Sequence, residues 1–216
     1  MVNDRDAHRL RAMKAAVSYA VKHTVVADDA LGKIAAGAVR GALVSARQLG
    51  WADPAGIVAT MTGVMQSSGQ ILDAIALDES TFVEALSKIS SDAMAMALEE
   101  NAEPVHAAEG AVIGAMAGVT GSETDLVARI CAVTRGLVMG AAKVDATVVG
   151  AVASGACKGA VERPMASGCG ATVVAYAVAK AAFAAAGEIG LDAQRQVREA
   201  LATQIEDREG FSRELE

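Results

Sequence analysis

The sequence predicts an all-α fold: pseudo-repeated helical hairpins in one domain, packed as a multi-helix bundle or a short solenoid with close Ala/Gly contacts. Three observations predict it. Hydrophobic residues make up 53% of the 216-residue chain but aromatics only 3%, so Ala, Val, Ile, Leu and Met carry the apolar mass, with Ala alone nearly a quarter of the chain. Ala is the best helix former. Apolar residues also recur at three- and four-residue steps, and no stretch alternates convincingly in the way a half-buried strand would. Finally, one phrase recurs: GAVRGAL at 37–43, GAVIGAM at 110–116 and GACKGAV at 155–161, each with Gly at both ends of a four-residue step.

The elements follow from local signals. Leu10, Met13, Val17 and Val21 form one helical face near the N-terminus. Asp28 and Asp29 are candidate caps for a second helix reaching Gly50. Asp53-Pro54 pairs an N-cap residue with Pro at the first helical position and starts a helix to about Leu77. Thr81-x-x-Glu84 reads as a capping box opening a helix to about Asn101, and Pro104 starts another. Ser122 caps the next, with Glu123 and Asp125 in the first turn where acids favour the helix dipole. Helices are expected over 123–142 and 144–162, then from the RPMASGCG interruption to Gly187, then over the amphipathic GLDAQRQVREALATQIEDREG stretch. The expected domain spans 1–210, with repeat units of about 5–70, 75–142 and 143–208 and a tail at 211–216. The first two units match at an offset of 73 residues, which lays GAVRGAL on GAVIGAM; such self-similarity points to repeated helical hairpins.

The repeated glycines are the candidate helix-packing or interface residues: Gly37, Gly41, Gly110, Gly114, Gly118, Gly155 and Gly159. Gly at i and i+4 shares one helix face, where a neighbouring backbone can approach closely. Each costs roughly 1 kcal/mol of helix propensity against Ala, so tight helix–helix contact is the natural compensation. Membrane helix pairs use the same spacing, but here Glu109 precedes one stripe and Glu123 and Asp125 follow it, which favours a soluble pair.

Composition narrows the function. A net charge of −7 with no basic run longer than two residues disfavours nucleic acid and anionic lipid as partners. Three Cys with no CxxC point to a reducing cytoplasm, and the N-terminus lacks the apolar core of a signal peptide. The segment from Pro164 to Gly187 has the length of a membrane span, but its Ala, Gly and Lys180 suit a buried soluble helix better.

No catalytic constellation, cofactor motif or metal site stands out. Glu103-x-x-His106 has di-iron spacing but no second such motif accompanies it, which leaves solvated first-turn residues. Cys169, just ahead of a helix, is the one candidate reactive thiol, set against a small buried Cys. Met61, Met65, Met94, Met96, Met116 and Met139 are expected to fill a helical core rather than line a groove. Arg40, Lys158 and Lys180 are expected at solvated positions. The expected role is therefore a non-enzymatic structural or interaction protein, homo-oligomeric through its smooth faces. In composition the chain resembles the phasins, Ala-rich helical proteins that coat polyester granules, although its many glycines depart from them. That resemblance implies an amphipathic coat or membrane-surface role as the alternative. A small-ligand binder or enzyme with an interhelical pocket is a second alternative.

Overall fold

A computed structural model describes residues 11, 12, 15, 28–75, 77–117, 122–161 and 170–202. These form eight α-helices, one 3-10 turn and no strand: α1 (Asp28–Gln48), α2 (Pro54–Ile75), α3 (Glu79–Glu99), α4 (Pro104–Met116), α5 (Glu123–Val144), the turn Ala146–Val148, α6 (Val149–Val161), α7 (Ala171–Ile189) and α8 (Leu191–Ala202). The helical face expected of Leu10, Met13, Val17 and Val21, together with Gly118, Cys169 and the tail at 211–216, lies outside the described residues.

Most helix starts are the expected ones. The Asp53 carboxylate accepts the Gly56 N–H at 2.8 Å ahead of Pro54. Ser122 and Asp125 form a reciprocal capping box, each side chain accepting the other's N–H, at 3.2 and 2.8 Å. The cap expected at Thr81 is corrected: Asp78 takes that place, and Thr81 donates its N–H and its hydroxyl to it, at 3.0 and 2.6 Å. Asp is at least as good a cap as Thr, and starting at Asp78 adds almost a turn of helix. The expected helix over 144–162 begins later. Asp145 accepts the Thr147 N–H at 2.8 Å, holds a short 3-10 turn and leaves α6 to start at Val149. Helix α7 runs past Gly187 to Ile189 and stops at Gly190, whose φ of 147° falls in the region that glycine tolerates.

These capping carboxylates make stability depend on acid. Hydrogen bonds from Thr81 and Ser80 hold Asp78 down at about 2, and bonds from Ser122 and Thr147 hold Asp125 and Asp145 below the usual carboxylate range. A depressed native pKa contributes stability above the unfolded value and loses it as pH falls through the native one. Thermal melts should therefore be flat from pH 7 down to about 4 and fall between about 4 and about 2. Replacing Asp78 with Asn should flatten part of that fall.

The order of packing is what matters for function. Each helix packs most extensively on a helix two places away in the chain, and less on its immediate neighbours. The helices therefore form two rows, α1–α3–α5–α7 and α2–α4–α6–α8, in the layered arrangement of a short α-solenoid. Side-chain contacts along a row join residues 48, 49 and 52 positions apart: Thr62 with Gly110, Lys158 with Glu109, and Lys143 with Ser91. The 73-residue offset instead matches α1 with α4 and α2 with α5, helices of opposite rows. It relates phrases in the sequence rather than stacked positions.

The core fills the space along and between the rows. Met61, Met65 and Met94 are fully buried, as expected of core methionines, together with Val112, Ile130 and Leu137. Met96, Met116 and Met139 are half-buried.

Candidate functional site

The glycine phrases turn out to be the seams of the rows. Helix α4 lays Gly110 and Gly114 on the backbone of α2 at Val58 and Thr62. Helix α6 lays Gly155 and Gly159 on α4 at Val105 and Glu109. A β-carbon at Gly114 would stand 2.5 Å from the Thr62 carbonyl oxygen, and one at Gly159 2.5 Å from that of Glu109. Real side chains do not come that close, so only glycine lets these helices touch. The Thr62 hydroxyl adds a hydrogen bond across the seam, donated to the Gly110 carbonyl at 3.0 Å.

A third seam uses a pair that the phrase search passed over. In RGLVMG, Gly136 and Gly140 of α5 lie on the Ser87 and Ser91 backbone of α3. The four-residue step is the same, but the flanking residues differ, so the pair does not resemble GAxxGA. Spacing alone, tested for every glycine on a helix, would have found it.

The first phrase stands apart from these seams. Gly37 and Gly41 of α1 are exposed, and a β-carbon added to either would meet nothing within 4 Å. On α1 the buried positions are Leu31, Gly32, Ala35, Ala36, Val39, Leu43 and Ala46, while Gly37, Gly41 and Val44 share the opposite face. Among the described residues, that face is where the α1 row ends. At the far end of the same row, α7 turns Val173, Tyr176 and Lys180 outward.

Ion pairs pin the rows. Arg40 of α1 donates to Glu100 at 3.1 Å just beyond α3, and Arg47 joins the same carboxylate. Arg135 of α5 holds Glu188 of α7 in a two-bond fork. Lys143 of α5 donates to Ser91 of α3 at 2.9 Å. Among the described ion pairs, the α4–α6 seam carries the most buried carboxylate. Glu109, only 6% exposed, accepts from Lys158 Nζ at 2.9 Å. His106 lies between Glu109 at 3.4 Å and Glu103 at 3.2 Å. The Glu103-x-x-His106 pair is thus part of a charged string rather than a freely solvated first turn. Arg40 and Lys158 are engaged by acids of the fold, and Lys180 is exposed as expected.

What this arrangement can do chemically is limited. Among the described residues no group of three or more His, Cys, Asp or Glu is placed to hold a metal ion. Burial pushes the Cys157 thiol up to about 12, and pushes Cys131 up against the opposing pull of Lys180. Both thiols face carbonyl oxygens of α7, those of Ala175 and Ala177. A thiol so raised is a weak nucleophile near neutral pH.

A cleft of about 230 Å³ between α2, α3 and α5 is lined by Leu72, Asp73, Phe82, Asp125 and Arg129, smaller than an ordinary ligand pocket of about 300–1,000 Å³. Its one cation is already engaged within the fold: Arg129 forks onto Asp73 and sits 4.4 Å over the Phe82 ring. Thr172–Ile189 is long and apolar enough to cross a membrane, with 39% of it buried against the rest of the fold. No protein-family model, curated protein or solved structure matches the chain.

Proposed function

We propose that the chain is a structural or interaction scaffold, a short helical solenoid that assembles with further copies of itself through the ends of its rows. One observation carries this reading. Gly37 and Gly41 repeat the step that forms the seams at α4, α5 and α6, yet they lie exposed at the end of a row. Two mid-helix glycines on an exposed face cost roughly 1 kcal/mol each against Ala, and no contact among the described residues offsets that. A helix from another molecule, packed as the internal helices are, would offset it. The reading makes the protein non-enzymatic and places it in a reducing, cytoplasm-like compartment, where Cys131 and Cys157 stay free thiols.

The test is sedimentation. The parent should run as a discrete oligomer. Gly41→Leu should shift it toward monomer without lowering its melting temperature in dilute solution, because a β-carbon at this exposed position meets nothing within 4 Å among the described residues. A monomeric parent, or an oligomer that the substitution leaves intact, contradicts the reading.

A lipid-surface role is the second reading, and the outward face of α7 favours it: Val173 and Tyr176 are exposed on an otherwise apolar helix. Flotation with neutral vesicles separates the two. A protein that floats supports the lipid surface, and one that stays with the soluble fraction supports the scaffold.

A further inference from the structure

We draw no further inference here: the strongest candidate, the exposed Gly37/Gly41/Val44 face of α1 at the end of its row, is a stripe of small residues already used by the proposed function, and nothing in the structure shows what covers it.

Discussion

Replacing Gly140 with Leu should lower stability by about 3 kcal/mol or more, the upper end of what overpacking costs. The nearest atoms to an added β-carbon are the Ser91 carbonyl oxygen, carbonyl carbon and α-carbon, all of them backbone. A flexible side chain could rotate away, but a helix backbone cannot. To admit Leu, α5 must therefore lift off α3. That also pulls Lys143 from Ser91 and strains the seam at Gly136 one turn earlier. For a chain of this length the loss corresponds to roughly 6–12 °C in melting temperature. Chemical denaturation and a thermal scan both read it. A variant that melts with the parent would show that the α3–α5 seam is looser than described.

Lys158→Ala should cost roughly 1–3 kcal/mol, for a different reason. The substitution leaves the Glu109 carboxylate almost wholly buried and without the ammonium that faces it at 2.9 Å. A buried carboxylate left with only the His106 ring, 3.4 Å away, costs at least as much as a neutral group in its place, and the lysine's own exposure of 42% keeps the figure below that of a fully buried pair. Adding Glu109→Gln should recover much of the loss, since the remaining amide carries no charge. If the single and double variants are equally unstable, the cost comes from lost packing of the lysine stem and not from the stranded charge.

Much of this fold was legible before any coordinates. Asp53-Pro54, Pro104 and the Ser122/Asp125 box mark helix starts because they act within one turn, where sequence neighbours are also spatial neighbours. The four-residue glycine step was legible for the same reason: it defines a face. Which faces meet was not legible, because that depends on pairings about fifty residues apart. Gly37 and Gly114 therefore read alike although one is exposed and the other sits on a carbonyl. The recurring phrase also carries flanking alanines, which Gly136 lacks, so Gly136 and Gly140 did not stand out.

Glu109 had a usable signal. Helix α4 is apolar around most of its circumference, as a helix in the middle of a row must be, so its one acid beyond the first turn had to be buried and to need a cation. Lys158, inside the third glycine phrase, is that cation. The two-row order itself emerges only once these long-range contacts are seen together.

The central claim is that one glycine spacing does two jobs: it closes seams inside the chain and leaves an open face at its end. The most direct test compares Gly37→Ala with Gly114→Ala by thermal melting at matched, low protein concentration, where assembly does not contribute. The account predicts opposite signs. Gly37→Ala should stabilise by up to about 1 kcal/mol, the helix-propensity gain with no clash. Gly114→Ala should destabilise, because its methyl group would stand 2.5 Å from the Thr62 carbonyl oxygen. Shifts of the same sign in both variants would contradict the account.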